Sequence, residues 1–235
     1  MSLDDDAGRL LTRREVVALL GLSGAGLRAG RAAAAPVPAC VVRPQQTEGP
    51  YYVDRQLERS DIRSDPGSGE ARPGVPLALA FAVSVLRDGA CAPLAGAVVD
   101  VWHCDALGVY SDVRDPGGST VGQKFLRGYQ VTDAAGMARF TTIYPGAYPG
   151  RAVHIHFKVR TGPASAQGHE FTSQIYFDDA LTDQVHAREP YARRGPRRLR
   201  NEEDGLFRRG GRDLLAAVAP SGEGYATTFA LALSA

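Results

Sequence analysis

The chain has 235 residues, a formal net charge of +1 and an apolar fraction of 44%. That length suits one medium domain plus a leader and is enough to bury a core. The near-neutral charge gives no footing for nucleic acid as a partner. The three cysteines, Cys40, Cys91 and Cys104, are too few for a disulfide scaffold and match no zinc spacing.

Residues 1–39 read as a targeting segment. Thr12-Arg13-Arg14-Glu15-Val16-Val17 resembles a twin-arginine export motif, with valine where phenylalanine is common. The apolar run from Val16 to Leu27 is about 12 residues long, against roughly 20 needed to span a bilayer, which indicates a signal and not an anchor. Arg28, Arg31 and the small-residue stretch Ala32 to Ala35 follow, suited to cleavage. Export predicts a periplasmic or extracellular protein that no longer contacts the membrane after cleavage. Val37-Pro38-Ala39-Cys40 is a poor lipoprotein box because of its proline, so no lipid anchor is expected at Cys40. An oxidising compartment permits one disulfide. Cys91, near a hairpin tip, and Cys104, at the far end of the next strand, are poor partners, so a bridge would use Cys40 with either of them.

Residues 40–235 read as one all-β domain, a β-sandwich of mainly antiparallel strands. Leu77, Leu79, Phe81, Val83 and Val85 alternate with small residues, the period-two pattern of a strand, and Arg87-Asp88-Gly89 provides a turn. Ala97 to Trp102 continues as a strand. Gly128 to Thr132 and Met137 to Ile143 flank Asp133-Ala134-Ala135-Gly136, a hairpin signal. Val153 to Val159, Ser173 to Phe177 and Tyr225 to Leu233 are further strands, and one short helix is expected over Asp179 to Ala187. The arginines 193, 194, 197, 198 and 200, followed by Glu202, Glu203 and Asp204, read as a solvated surface loop.

The chemistry gathers around His154 and His156. On a strand they share one face with Cα atoms about 6.5–7 Å apart, while Val153, Ile155, Phe157 and Val159 take the core face. Two imidazoles so placed can reach one metal ion. Tyr148, six residues before His154, and Tyr110 are candidate phenolates. A phenol near pKa 10 ligates at neutral pH only where a strongly Lewis-acidic cation removes its proton. Fe(III) does this, whereas zinc and ferrous sites lean on histidine, cysteine and carboxylate. Arg151 offers a fixed guanidinium for developing negative charge and Gln174 a hydrogen bond. Tyr144, four residues before Tyr148, is a rival phenolate on position alone, and His169 and His186, with no motif around them, read as surface residues. Two rival readings remain at this point: a hydrolase or Fe(II) oxygenase using His154, His156 and a carboxylate (Asp105 or Asp112), and a secreted binding sandwich without catalysis.

Five ordered motifs bear on the choice: Thr47-Glu48-Gly49-Pro50-Tyr51-Tyr52; Val99-Asp100-Val101-Trp102-His103 through Tyr110-Ser111; Phe125-Leu126-Arg127-Gly128 through Gly136; Thr142-Ile143-Tyr144-Pro145-Gly146-Ala147-Tyr148-Pro149 leading into Arg151-Ala152-Val153-His154-Ile155-His156-Phe157; and Gln174-Ile175-Tyr176-Phe177. Together they resemble the intradiol ring-cleavage dioxygenases, the family of catechol 1,2-dioxygenase and protocatechuate 3,4-dioxygenase. The resemblance implies one Fe(III) per chain held by Tyr110, Tyr148, His154 and His156, with Tyr148 the tyrosine that leaves on substrate binding. It implies a catalytic set of Arg151, Gln174 and Tyr148, and a small aromatic diol and O2 as substrates. It leaves homo-oligomerisation open.

The chain departs from both named branches. No helical dimerisation stretch precedes Thr47, as the catechol branch has, and only Pro149 to Val153 separate Tyr148 from His154, where the protocatechuate branch has a longer loop. The chain looks most like an exported, short-loop branch, whose pocket is expected to be more open to larger or varied catechols.

Overall fold

The computed structural model describes residues 40–87, 90–115, 118–161, 170–196 and 199–234. The expected leader over residues 1–39, Asp88 and Gly89 of the expected turn, His169, and Arg197 and Arg198 lie outside the described residues.

Two sheets form a sandwich, as the alternation requires. The first contains β1 (Pro76–Arg87), β2 (Ala90–Pro93), β7 (Met137–Ile143), β10 (Ala219–Ser221) and β11 (Gly224–Ser234). β1 runs parallel to β11 along Leu77–Leu86, and its other edge pairs antiparallel with β7 and then with β2. The second has the order β6-β3-β8-β9, all antiparallel, from β3 (Val98–Trp102), β6 (Arg127–Val131), β8 (His154–Arg160) and β9 (Glu170–Tyr176). A ribbon of β4 (Arg114–Asp115) and β5 (Gly118–Ser119) stands apart.

The core fills the space between the sheets. Leu77, Leu79, Phe81 and Val83 of β1 join Val99, Val101, Ile155, Phe157 and Val159 in one buried cluster. Phe81 lies at its centre, against Phe157 (5.1 Å), Phe140 (6.1 Å) and Phe229 (6.2 Å). Full burial of one such side chain contributes about 1.5–3 kcal/mol. α1 (Asp179–His186) forms where Asp178 caps the Leu181 N–H, with Thr182 and Val185 on its buried face.

One expectation needs correction. Asp133-Ala134-Ala135-Gly136 does turn the chain, with Asp133 accepting from the N–H groups of Ala135 and Met137. The flanking strands nevertheless do not form a hairpin: β6 pairs with β3, and β7 with β1 in the other sheet. Burial of Ala138 and Phe140 between the layers takes β7 away from β6, so the turn crosses the sandwich. Ala90 to Pro93 shows no apolar alternation, yet it forms the short strand β2. It carries Cys91, which bridges to Cys40, while Cys104 is buried and free.

Candidate metal centre and active site

The site lies on the outer face of the β6-β3-β8-β9 sheet, opposite the core, and strand register assembles it. His156 pairs with Trp102 of β3 on one side and Gln174 of β9 on the other, and His154 pairs with Tyr176. Period two gives each strand one core face and one site face. The segment around Tyr51 and Tyr52 covers this face, Tyr51 stacking on Tyr110 at 4.4 Å and Tyr52 packing on Trp102 at 4.8 Å.

Tyr148 and Tyr110 arrive on loops that are clamped backbone to backbone. Gly146 N–H donates to the Asp105 carbonyl (3.1 Å). Gly108, at φ +80°, approaches so closely that a Cβ there would lie 2.2 Å from the Ala147 carbonyl oxygen. Four rings then form a closed circuit: Tyr110–Tyr148 at 5.4 Å, Tyr148–His154 at 5.5 Å, His154–His156 at 4.5 Å and His156–Tyr110 at 6.3 Å. All four expected ligands are thus brought together.

Their polar atoms converge. His154 Nδ1 donates to the Ala152 carbonyl (2.7 Å), which leaves Nε2 as the lone-pair nitrogen. That Nε2 lies 2.9 Å from His156 Nε2 and 3.3 Å from the Tyr148 hydroxyl. The buried Tyr110 hydroxyl lies against that of Tyr148 but makes no well-formed hydrogen bond. Burial, with the Arg151 charge, pushes the His154 imidazole down to about 3. Burial and neighbouring His154 push His156 well below its usual value. Burial likewise raises Tyr148 to about 12 and Tyr110 well above 10. The imidazoles are therefore neutral donors, while the phenols keep their protons unless a strong Lewis acid displaces them.

Arg151 is held on two sides. Its Nε donates to Asp204 (2.9 Å), and its Nη2 to Gln174 Oε1 (2.6 Å) and the Tyr176 hydroxyl (3.1 Å); Nη1 lies 3.4 Å from His154 Nε2. Gln174, expected as a free donor, directs its amide N–H to the Thr47 carbonyl (3.0 Å), so its clearest task is to orient Arg151. Asp204 is not a solvated loop charge, as its neighbours Glu202 and Glu203 are: its side chain is 2% exposed. Burial alone would raise its carboxyl, but the Ala152 N–H and the Arg151 guanidinium outweigh that and hold it low.

Of the remaining residues, Tyr144 is a core tyrosine, buried and bonded to Thr182 (2.8 Å). His103 has both ring nitrogens occupied, by the Cys104 carbonyl (2.8 Å) and by Thr142 Oγ1 (2.7 Å) on the opposite sheet, so it ties the layers together. His186 is not a surface residue: it is half-buried, stacks on Tyr191 at 5.1 Å and meets the Pro145 carbonyl. The two aspartates of the rival reading point elsewhere. Asp105 caps the N–H groups of Leu107 and Val109, and Asp112 pairs with Arg55. Among the described residues no three His, Cys, Asp or Glu side chains converge, and the groups that gather here are two histidines and two tyrosines.

Trp102, Tyr51, Tyr176, Asp204 and Arg127 were not read as site residues. Trp102 stacks on His156 at 5.0 Å with the rings 6° from parallel, and Tyr176 shares the strand face of Gln174. Period two could have found both. Arg127 is buried, and its Nε and Nη2 grip the Ser111 carbonyl next to Tyr110. A cleft of about 580 Å³ opens beside Tyr110 and Tyr148, with Tyr51, Val109, Val113 and Arg194 among its walls. A second cavity of about 350 Å³ reaches Tyr148, Arg151, His186 and Tyr191.

The site thus gathers two histidines of one outer sheet face and two loop-borne tyrosines beside a ligand-sized cleft. The Dioxygenase family model matches residues 47–194. An intradiol ring-cleavage dioxygenase from Tetranychus urticae superposes with a TM-score of 0.71 at 30% identity, over 83% of this chain and 95% of that one. The dioxygenase domain of a carbohydrate-binding fusion protein from Streptomyces sp. SirexAA-E gives 0.58 at 30% identity, over 83% and 99%. Chlorocatechol 1,2-dioxygenase of Pseudomonas putida is 35% identical over 104 residues, 36% of each chain. The matched segment spans between 36% and 47% of the curated relatives' own lengths. The chain belongs to the intradiol ring-cleavage dioxygenase family.

Proposed function

We propose that the chain is a non-haem Fe(III)-dependent dioxygenase that opens catecholic rings between the two hydroxyl-bearing carbons with O2, giving muconate-type diacids. One observation carries the reading: the ring circuit of Tyr110, Tyr148, His154 and His156, with the histidine Nε2 atoms 2.9 Å apart and the buried Tyr110 hydroxyl lacking a good partner. These donors fit ferric iron. Two neutral nitrogens facing each other invite a cation, and two phenols supply the hard anionic oxygens that offset a trivalent charge in a buried site.

Bound there, Fe(III) would supply Lewis acidity toward the phenols and the diol, and would draw electron density from the ring. The protein does the rest. The cleft beside Tyr110 and Tyr148 is of a size to admit a substituted catechol ring. Tyr148, a phenolate only where iron has taken its proton, would be the proton acceptor for an incoming diol, since burial pushes the free phenol up to about 12. Arg151 keeps its charge at any working pH and presents Nη1 beside His154, where negative charge on the substrate can be stabilised. Gln174 and Tyr176 keep that guanidinium in plane.

A leader over residues 1–39 and an exported catalytic domain over 40–235 complete the proposal. The Cys40–Cys91 disulfide supports an oxidising destination and leaves no thiol at Cys40 for a lipid. Twin-arginine export carries folded proteins and would allow iron loading beforehand. Among the described residues no helix is long and apolar enough to cross a membrane. The short Pro149–Val153 connection and the wide cleft favour larger or varied catechols as substrates.

The test is the visible spectrum of the iron-loaded protein together with oxygen uptake on catechol, protocatechuate, hydroxyquinol and chlorocatechols. A red to burgundy tyrosinate-to-Fe(III) band and uptake with at least one diol are expected. A colourless, iron-replete protein would overturn the assignment.

A further inference from the structure

Asp204 lies beyond the residues matched by the family model, yet it is joined to the centre of the site. Its Oδ2 accepts from Arg151 Nε (2.9 Å) and from the Ala152 backbone N–H (2.8 Å), and its Oδ1 from the Leu206 N–H (2.7 Å). The carboxylate therefore fixes the guanidinium and the backbone of the residue next to it at once. The 3-10 turn Asn201–Glu203 delivers it, anchored where the Asn201 amide donates to the Phe177 carbonyl (2.8 Å), just past the end of β9.

A guanidinium is planar, so holding two of its nitrogens sets the direction of the third. Asp204 holds Nε, and Gln174 with Tyr176 holds Nη2. Nη1 points to His154 Nε2 at 3.4 Å, the atom that also meets the Tyr148 hydroxyl, and the guanidinium interacts with that hydroxyl as well. The pair is nearly dry, with side chains 16% and 2% exposed, so the carboxylate is not exchanged for water.

We propose that Asp204 is a positioning residue for ring cleavage: it aims Arg151 Nη1 at the reacting diol and leaves the binding of iron and of the diol to other groups. The proposal rests on the reading of Arg151 given above. Misdirecting a charge-stabilising donor by about 1 Å costs turnover on the order of 10–100-fold, without loss of ligands for the metal.

The test is a double-mutant cycle of Asp204→Asn and Arg151→Ala in the iron-loaded protein. Turnover by oxygen uptake is paired with the Kd for catechol titrated optically under argon. Asp204→Asn is expected to lower kcat about 10–100-fold, with iron content, colour and the anaerobic Kd retained within about threefold. In the Arg151→Ala background it is expected to cause no further loss. An equal loss in both backgrounds, or a parallel loss of iron, would make Asp204 structural and overturn the proposal. Normal turnover in Arg151→Ala overturns the reading of Arg151 and the proposal with it, whereas impaired Arg151→Ala beside an unimpaired Asp204→Asn overturns Asp204 alone. If Asp204→Asn does not fold, Asp204→Glu keeps the charge but displaces it by one methylene. It should show a smaller loss, about 3–10-fold, again only in the presence of Arg151.

Discussion

The Nε2 atoms of His154 and His156 lie 2.9 Å apart on one strand face, in a site where burial keeps both rings neutral. The His154 Nδ1 proton is committed to the Ala152 carbonyl, so without metal His156 must donate its own Nε2 proton across the gap. A cation replaces that proton and takes both lone pairs. Loading with Fe(III) should therefore raise the melting temperature, by an increment worth about 4 kcal/mol at a thousandfold excess over Kd. His154→Ala or His156→Ala should abolish both the iron and the increment; metal analysis with thermal melting checks this.

Tyr110→Phe and Tyr148→Phe should each weaken or shift the visible band, because each removes one phenolate donor. Tyr110 is the more buried of the two, so its loss should be the more damaging to iron retention. Persistence of an unchanged band in both single mutants would refute the tyrosine assignment.

Gly108→Ala should both destabilise the protein and alter its colour. The residue sits at φ +80° and its Cβ would meet the Ala147 carbonyl at 2.2 Å, so strain and overlap together should cost roughly 2–3 kcal/mol. Relief requires the Tyr110 and Tyr148 loops to part, which separates two ligands. A denaturant midpoint and a visible spectrum on the same sample test both effects.

Acid should destabilise the metal-free protein through His103. Burial pushes this imidazole from 6.5 down to about 4. The unfolded chain thus binds a proton near pH 6.5 that the folded protein accepts only near pH 4, and stability falls as pH drops through that window. The loss reaches about 3 kcal/mol from His103 alone near pH 4 and is absent above 6.5. Melting curves across this range should fall less steeply in His103→Asn, the remaining slope coming from His154 and His156.

Reducing the Cys40–Cys91 bridge, or replacing Cys91 with Ser, should lower stability without changing colour. The bridge spans a sequence separation of 51 residues, for which loop closure gives an upper value of about 4 kcal/mol. A change in the visible band on reduction would mean that the bridge also holds the N-terminal cover over Trp102 and Tyr110.

Much of this is legible in the sequence. Alternation places Phe81, Ile155 and Phe157 in the core, and the same period puts His154 and His156 together on the other face. Family motifs supplied Tyr110 and Tyr148. What escaped was decided over long distances. Which sheet β7 joins depends on where Phe140 finds its partners, not on the turn that precedes it. Asp204 reads as one more charge in an exposed stretch, because no local pattern reveals that the chain returns to Arg151 more than fifty residues later. Gln174 was read as a donor to substrate because its hydrogen bond to Thr47 joins segments far apart in sequence.

β8 interleaves two incompatible duties, with His154 and His156 toward the outer-face site and Ile155 and Phe157 toward the core. A register shift of one residue would put imidazoles into the hydrocarbon interior and aliphatic carbons at the metal. Single-codon insertions or deletions within 153–157 should therefore be rejected as unfolded protein before they could ever register as defective catalysts. Substitutions in the loop-borne walls of the cleft face no such veto, which leaves substrate preference free to drift while the metal-binding frame stays fixed.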